Sequence, residues 1–270
     1  MARKSSSHKS PNPGWSRRCL RYASAARLNS LPLAAGTLQA NTNVHEASAP
    51  PNVRLSIQGP AATLIWELGG SGEGSERVSG LLTFKGVIFD FNGVLWWDNH
   101  LQEQAWRQFA AEIRGAPLTE EEITVHVHGR NNRHMLEYLT GRSITGDELW
   151  QLTQQKETIY RQLCLDQGRN FKLSPGAVEL LDSLAAYHIP HTIATASEKT
   201  NLDFFVKHLG LTKWFKIEQI VYDDGTRPGK PAPDIYLQAA SNLDLEPASC
   251  VVVEDSRSGI QAACAAGIGC

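Results

Sequence analysis

The chain has no long apolar run. No stretch of about 18 uncharged apolar residues occurs in it, and the apolar segment around Ile88 is interrupted by Lys85 and Asp90. The sequence therefore predicts neither a membrane-spanning helix nor a membrane partner. Its 270 residues, 41% hydrophobic and 20% charged, are typical of a globular protein of one large or two modest domains.

Paired cysteines are also lacking. The five cysteines are odd in number and scattered, and no two are spaced as a metal or redox pair. This pattern predicts a reducing compartment, which favours the cytoplasm. The histidines cluster only at His126 and His128, whose side chains would leave a helix on nearly opposite sides, so we predict no metal site there.

Acidic residues are missing from the first 45 positions, which carry seven basic ones. When these seven are subtracted from the 26 basic residues of the chain, 19 remain against 28 acidic residues. The remainder therefore carries a net charge of about −9, which makes nucleic acid an unsuitable partner.

Residues 1–83 are rich in Ser, Ala, Pro, Gly and Arg, and we find no sustained period of 3.6 or 2 in them. We therefore predict that this segment is mostly disordered. The basic, acid-free start up to about residue 45 is typical of an organellar transit peptide, which would make an organelle the alternative to the cytoplasm. Equally open is additional sequence in front of a domain that begins near Phe84.

From Phe84 onward, apolar β-branched runs alternate with helical patterns. This alternation predicts an α/β fold, a Rossmann-like doubly wound parallel sheet. The expected strands are 86–89, 191–194, 217–221 and 250–253, and helices are expected at 177–187, 235–243 and 259–266. Active residues lie beyond the carboxyl ends of such strands. The polar residues found there are Asp90, Thr195, Asp223, Glu254 and Asp255.

The segment 98–171 is too long to be a simple crossover between the first two strands. Its amphipathic stretches at 101–113, 133–139 and 147–163 predict a helical cap beside the active site, with 172–176 as the hinge. The core is then 84–97 with 172–270. A further strand would normally follow the last helix, so we expect the final edge strand of the sheet to be missing.

Four motifs occur in order along this core. They are Asp90-Phe91-Asn92-Gly93-Val94, Ile193-Ala194-Thr195-Ala196-Ser197, Gly229-Lys230-Pro231-Ala232-Pro233-Asp234 and Val253-Glu254-Asp255-Ser256-Arg257-Ser258-Gly259. Through them, residues 84–270 resemble the haloacid dehalogenase-like hydrolases, in the helical-cap subgroup that includes β-phosphoglucomutase and small-molecule phosphatases.

The resemblance implies a nucleophile and a metal site. Asp90 would attack a phosphoryl group and form an aspartyl-phosphate, which splits hydrolysis into two easier displacements. Glu254 and Asp255 would hold Mg²⁺ together with Asp90 and the backbone carbonyl of Asn92, since this cation prefers hard oxygen ligands.

The resemblance also implies a phosphate-binding set. Thr195 would donate a hydrogen bond to a phosphoryl oxygen, and Lys230 would neutralise charge during transfer. Gly93 permits the tight turn after the nucleophile. The remaining predicted contacts to the substrate or its phosphate are Ala196, Ser197 and, from the cap, Arg130 or Arg133.

Asn92 departs from the pattern, because the family usually has a second aspartate there that transfers a proton. An amide does not serve as an acid or base, so the leaving groups need little protonation, another group supplies the proton, or turnover is weak. The candidates for a substitute acid are Asp98, His126, His128 and His134.

The sequence thus predicts a Mg²⁺-dependent phosphatase for a small, sugar-phosphate-like metabolite. One alternative is a sugar phosphomutase of the β-phosphoglucomutase type, which is less favoured because Gln102 stands where such mutases usually have a histidine. Another is a catalytically weak phosphate-binding or regulatory relative, suggested by Asn92. Neither halide-site residues nor a Schiff-base lysine in the cap are identifiable.

Overall fold

The structure is a computed structural model that describes residues 84–127 and 130–270 in full and, before them, the backbone of five strands. These strands are β1 (Ala26–Arg27), β2 (Leu38–Thr42), β3 (Asn52–Gln58), β4 (Ala61–Leu68) and β5 (Val78–Phe84). They pair in chain order, and every neighbouring pair is antiparallel.

These strands begin within the segment that the sequence predicts to be mostly disordered, and they differ from that prediction over their own residues. Val53, Leu55 and Ile57 alternate with polar residues, the two-residue period of a strand, and β3 pairs Val53 with Trp66 and Leu55 with Leu64 on β4. The Ser-, Ala- and Gly-rich composition of the whole segment had obscured this short alternation. The interpretation of residues 1–83 as a leader stays a prediction.

The core sheet has four parallel strands: β6 (Gly86–Phe89), β7 (His191–Glu198), β8 (Val221–Asp223) and β9 (Cys250–Val253). Their order is β8-β7-β6-β9, so β6 lies between strands from the second half of the chain. All four residues of β6 are buried, as an uninterrupted apolar run predicts for a central parallel strand.

The helices of the described residues follow in chain order. They are α1 (Asn99–Arg114), α2 (Glu120–Glu122), α3 (Asn132–Thr140), α4 (Gly146–Asp166), α5 (Ala177–Ala186), α6 (Lys199–Leu209), α7 (Asp234–Asn242) and α8 (Arg257–Ala265). A π-helical turn, Ile123–Val127, follows α2 directly. None of the helices in the described part of the chain is long and apolar enough to cross a membrane.

Helices cover both faces of the sheet. Val87 and Phe89 of β6 lie in one apolar cluster with residues of α5 and α6, while Ile88 lies in a second cluster with residues of α7 and α8. Because successive strand side chains point to opposite faces, these two clusters are the two layers around the sheet. The predicted doubly wound α/β core is confirmed.

The cap lies between β6 and β7, and its helices α1, α3 and α4 match the three predicted amphipathic stretches. It has a small core of its own, in which Trp106 and Phe109 of α1 pack with Met135 and Leu136 of α3. Each of these side chains is almost completely buried. The predicted helical cap is therefore confirmed as part of the fold.

Two predicted strands have different bounds. Within the predicted strand 217–221, Ile217–Gln219 forms a 3₁₀ turn and β8 begins only at Val221; the polar pair Glu218-Gln219 interrupts the apolar run. In the other direction, β7 extends to Glu198, so Thr195 and Ser197 lie within the strand rather than after it.

The described residues after α8 form no full edge strand, as predicted, but they make one short pairing with the sheet. The backbone N–H of Val252 donates to the carbonyl of Gly269 at 2.7 Å, and Val251 and Gly269 form one parallel bridge. The residues after α8 therefore lie beside β9 but pair with it at one point.

A leucine buried in the first cluster should lose more stability on truncation to alanine than an exposed leucine elsewhere. Leu180 of α5 is 1% exposed, whereas Leu237 of α7 is 40% exposed. We expect Leu180→Ala to lower the free energy of unfolding by about 3–5 kcal/mol and Leu237→Ala by less than about 1 kcal/mol. Urea denaturation of both variants measures this, and equal losses would contradict the assignment of α5 to the core.

Candidate active site

Three carboxylates meet at the carboxyl ends of two neighbouring strands. Asp90 follows β6 and its backbone N–H donates to the carbonyl of Val253 at 3.0 Å, while Glu254 and Asp255 follow β9. Because β6 and β9 are parallel neighbours, these side chains share one edge of the sheet. One oxygen from each of the three carboxylates lies within 4.8 Å of the others.

Lys230 lies inside this carboxylate cluster. Its Nζ is 3.2 Å from Oδ1 of Asp90 and 2.7 Å from Oε2 of Glu254, and the side chain is buried. Burial alone would lower the pKa of Lys230, but the charges of Asp90 and Glu254 raise it well above its ordinary value. Lys230 therefore supplies the positive charge that stabilises the carboxylates of Asp90 and Glu254.

Glu254 is held by donors on both oxygens. Lys230 and the hydroxyl of Tyr236 contact Oε2, and Ser256 donates to Oε1 through its Oγ at 2.7 Å and its N–H at 3.0 Å. Ser256 also caps α8 by accepting from the N–H of Gly259 at 3.1 Å. Although burial raises the pKa of Glu254, Lys230 and these hydrogen bonds bring it below its ordinary value.

Two glycines leave the space that the carboxylates of Glu254 and Asp255 occupy. A Cβ on Gly259 would lie 2.0 Å from the carboxylate of Glu254, and one on Gly93 would lie 2.1 Å from Oδ2 of Asp255. Gly93 also has a φ of 79°, a backbone angle that residues with a Cβ rarely adopt. The predicted role of Gly93 in a tight turn thus combines with a close approach of Asp255.

The electrostatics of the cluster favour a cation. Burial, followed by the charge of Glu254, raises the pKa of Asp255 to about 6, even though Asn99 donates to its Oδ2 at 3.1 Å. Burial and Glu254 also raise the pKa of Asp90 well above its ordinary value, despite Lys230. Three carboxylates against one lysine form a set of hard oxygen donors with excess negative charge, which fits Mg²⁺.

A second group of predicted residues surrounds the side chain of Asn92. Its Oδ1 accepts from Oγ of Ser197 at 2.8 Å and from Oγ1 of Thr195 at 3.5 Å. Thr195 is buried, and its Oγ1 accepts from the N–H of Ser197 at 3.1 Å. The structure thus brings the first and second sequence motifs together at the ends of β6 and β7.

The other end of the Asn92 amide binds Asp98. Nδ2 of Asn92 donates to Oδ2 of Asp98 at 2.6 Å, and the hydroxyl of Tyr160 and Nε2 of Gln102 donate to the same oxygen. Asp98 is fully buried. The sequence had suggested Asp98 only as a substitute acid, and Tyr160, 68 residues beyond Asn92, carried no sequence signal at all.

The predicted histidines form a separate cluster in the cap. Nδ1 of His126 lies 3.4 Å from Nε2 of His134, and His126 stacks on Tyr138. Burial, then the charges of Arg130 and His126, lowers the pKa of His134. Arg130 itself is exposed in front of α3, and the predicted candidate His128 lies outside the described residues.

A shallow pocket beside Lys230 joins the cap to the core, and sequence reasoning missed two of its residues. Asn131 of the cap faces Gly229 so closely that a Cβ there would lie 2.9 Å from Nδ2 of Asn131. Arg227 lines the same pocket and donates to the carbonyl of Tyr222 at 2.8 Å. The lining residues include Asn131, Ala196, Asp223, Arg227, Gly229 and Lys230.

A buried carboxylate–lysine cluster at the strand ends of a parallel sheet, with a helical cap inserted after the first strand of that sheet, defines a hydrolase of the capped α/β class. The model of the haloacid dehalogenase-like hydrolases matches residues 84–267. The chain belongs to this family, as its four motifs predicted.

Individual relatives agree with this assignment. The chain is 32% identical over 186 residues to the phosphorylated carbohydrates phosphatase of Thermotoga maritima, covering 67% of this chain and 81% of that protein. It is 30% identical over 189 residues to β-phosphoglucomutase of Bacillus subtilis, covering 68% and 80%. The crystal structure of a HAD hydrolase, family IA, variant 3, from Entamoeba histolytica has a TM-score of 0.62 and 38% identity, with 68% and 81% covered.

The close approach of Asp255 to Gly93 predicts a larger penalty there than at a glycine with similar backbone geometry. Gly115 has a φ of 76°, but nothing lies within 4 Å of a Cβ on it. We expect Gly115→Ala to lower the free energy of unfolding by about 1 kcal/mol through backbone strain. Gly93→Ala should cost roughly 1–3 kcal/mol more, because the carboxylate of Asp255 must move.

Thermal or urea unfolding of these two variants beside the wild type gives the comparison. The close contact predicts a clear difference between them. Losses of equal size would show that the strained φ alone accounts for the need for glycine at position 93.

Proposed function

We propose that the chain is a Mg²⁺-dependent phosphatase that hydrolyses a small phosphorylated, sugar-like metabolite through an aspartyl-phosphate at Asp90. The observation that supports this most is the cluster in which the buried Asp90 and Lys230 meet the half-buried Glu254 and Asp255. The family and the activities for which its relatives are named support a phosphoric monoester hydrolase as the class.

In this mechanism Asp90 attacks the phosphorus atom, and the ester oxygen leaves with its bonding electrons and takes up a proton from solvent. Water then attacks the aspartyl-phosphate and loses a proton to solvent or to the departing phosphate, which releases phosphate and regenerates the carboxylate. Nζ of Lys230, 3.2 Å from Oδ1 of Asp90, holds the nucleophile and offsets negative charge on the phosphoryl group. The burial of both groups strengthens this interaction.

Asp90, Glu254 and Asp255 would hold Mg²⁺ together with the backbone carbonyl of Asn92, and the cation would supply positive charge for the phosphoryl oxygens. The protein's own part is to keep these carboxylates fixed. Ser256 and Tyr236 do so for Glu254, and Asn99 does so for Asp255.

The remaining phosphate contacts come from β7 and the cap. Thr195 and Ser197 place two hydroxyls next to the nucleophile loop, and Ala196 lines the pocket beside Lys230. Arg130 and Asn131 belong to the cap loop, so we assign them to the part of the substrate that is not transferred. The resemblance to a carbohydrate phosphatase suggests a sugar or polyol for that part.

A phosphate-binding protein with little turnover is the second candidate, and Asn92 is the observation that favours it. The amide is too weak an acid to protonate a leaving alkoxide, and its Nδ2 is engaged by Asp98. For the mutase alternative, Gln102 is engaged by Asp98 and Lys156 rather than exposed to a substrate pocket. We place the protein in the cytoplasm, or in an organelle if residues 1 to about 45 are a transit peptide.

Removal of the nucleophile tests the proposed function. We expect Asp90→Asn to reduce Mg²⁺-dependent hydrolysis of phosphate monoesters by roughly 10³-fold or more, because the covalent step is lost. Asp166→Asn is the matched control, since Asp166 is an exposed acid at the end of α4. A screen of sugar phosphates, aryl phosphates and acetyl phosphate measures the effect, and activity that survives in Asp90→Asn would refute the mechanism.

Asn92 predicts a strong dependence on the leaving group. Without an acid at this position, p-nitrophenyl phosphate and acetyl phosphate should phosphorylate Asp90 faster than hexose phosphates by about 10²- to 10⁴-fold. These leaving groups need little protonation, whereas the alkoxide of a sugar does. The measurement is the rate of leaving-group release in a single turnover at saturating enzyme and Mg²⁺, because kcat also contains the hydrolysis step that all substrates share. Equal rates would contradict the prediction and show that another group supplies the proton.

A further inference from the structure

Asp98 lies next to the nucleophile loop without being part of the carboxylate cluster. Its Oδ2 accepts from Nδ2 of Asn92 at 2.6 Å, and its Oδ1 accepts at 3.1 Å from the N–H of Gly93, which is shared with the carbonyl of Trp96 at 2.7 Å. Asn92 and Gly93 are the second and third residues after Asp90. One buried carboxylate therefore holds a side chain and a backbone group of the same loop.

Two cap residues complete the environment of Asp98. The hydroxyl of Tyr160 and Nε2 of Gln102, at 3.2 Å, both donate to Oδ2. Gln102 has no choice of orientation, because its Oε1 accepts from the buried Nζ of Lys156 at 2.6 Å. Position 98 is thus surrounded by four donors, which is a site for an acceptor-only carboxylate.

This arrangement also decides which way the Asn92 amide points. An amide has one donating and one accepting end, and Nδ2 must face Asp98 because a carbonyl oxygen there would lie against a carboxylate oxygen. Oδ1 is then left to accept from Ser197 at 2.8 Å and from Thr195 at 3.5 Å. Asp98 therefore determines how the nucleophile loop meets the hydroxyls of β7.

We propose that Asp98 is a positioning residue for phosphoryl transfer, which acts by holding Asn92 and Gly93 so that the loop after Asp90 keeps its geometry. The proposal rests on the function proposed above. It makes residues 92 and 98 an amide–carboxylate pair in which the carboxylate stands at 98. Asp98 itself contacts no reacting atom in this role.

The pair predicts what happens when the aspartate that the family usually has at position 92 is restored. Asn92→Asp would place two carboxylate oxygens about 2.6 Å apart in a buried place, where like charges repel strongly. The single substitution is therefore expected to be harmful. Asp98→Asn should relieve that repulsion, because the new amide donates to the carboxylate at position 92. The relief is partial, since Gln102 still presents a donor to position 98.

A double-mutant cycle tests the pairing, with Asn92→Asp, Asp98→Asn and the double variant compared by thermal unfolding of the full chain. In the wild-type background, Asp98→Asn should lower Tm by roughly 5–15 °C, because an amide must turn its NH₂ toward a donor. In the Asn92→Asp background the same substitution should raise Tm. Asp166→Asn is the matched control, whose effect should be equally small in both backgrounds.

The positioning role is tested by kinetics at a temperature where every variant is folded. Asp98→Asn should lower kcat for p-nitrophenyl phosphate by roughly 10- to 100-fold with KM changed by less than about threefold, because the nucleophile loop moves while the substrate contacts remain. A merely structural residue would leave the kcat of the folded enzyme unchanged.

Two results would overturn the proposal. The first is a Tm that Asp98→Asn lowers equally in both backgrounds, and the second is a folded Asp98→Asn enzyme with the wild-type kcat. Capture of Asp90 by beryllium fluoride with Mg²⁺ separates this failure from failure of the proposed function. If wild type is not captured and does not turn over, the proposed function fails, whereas the sign of the Tm change still decides whether residues 92 and 98 form the pair.

Discussion

The structure depends on holding three negative charges close together, one buried and two half-buried, at one edge of a parallel sheet. Asp90, Glu254 and Asp255 lie within 4.8 Å of one another, and the lysine that contacts two of them, Lys230, is itself buried. Isolated buried charges cost several kcal/mol each unless they are paired. The site is stable only because strand ends, hydrogen-bond donors and one cation meet there, and the remaining excess of negative charge makes the cluster suited to a divalent cation.

The local backbone serves this same constraint. Gly93 and Gly259 leave the volume that the carboxylates of Asp255 and Glu254 occupy, and Ser256 both caps α8 and donates to Glu254. The sheet order places β6 between β7 and β9, so Asp90 and Glu254, which follow β6 and β9, lie beside Thr195 near the carboxyl end of β7. The fold therefore positions the site directly, because the residues that follow the strands, Asp90 and Glu254, are also those that contact Lys230.

The extent to which the site was predictable follows from the same geometry. Asp90, Lys230, Glu254 and Asp255 were predictable because each stands in a short motif, and parallel strands bring their carboxyl ends to one edge. Tyr160 was not, because its contact with Asp98 requires helix α4 to pack against α1, which no local pattern encodes. Gln102 lies only four residues after Asp98, and the lysine that orients its amide, Lys156, also belongs to α4. Asn131 was missed because its place in the pocket depends on its closeness to Gly229, which is distant in the sequence. The strands before residue 84 were missed because their alternation of apolar and polar residues is short and lies within a segment rich in Ser, Ala and Gly.

Charge balance offers a physical reason for the amide at position 92. Asp98 brings a fourth buried carboxylate close to the cluster, near enough for its charge to raise the pKa of Asp255. Lys156, the next buried lysine, is already paired with Glu157 at 2.9 Å. A carboxylate at position 92 would add a fifth negative charge to this region and would lie against Asp98. Once an aspartate occupies position 98, a neutral side chain that donates a hydrogen bond is the residue that position 92 requires, so Asn92 is better understood as the partner of Asp98 than as the loss of an acid.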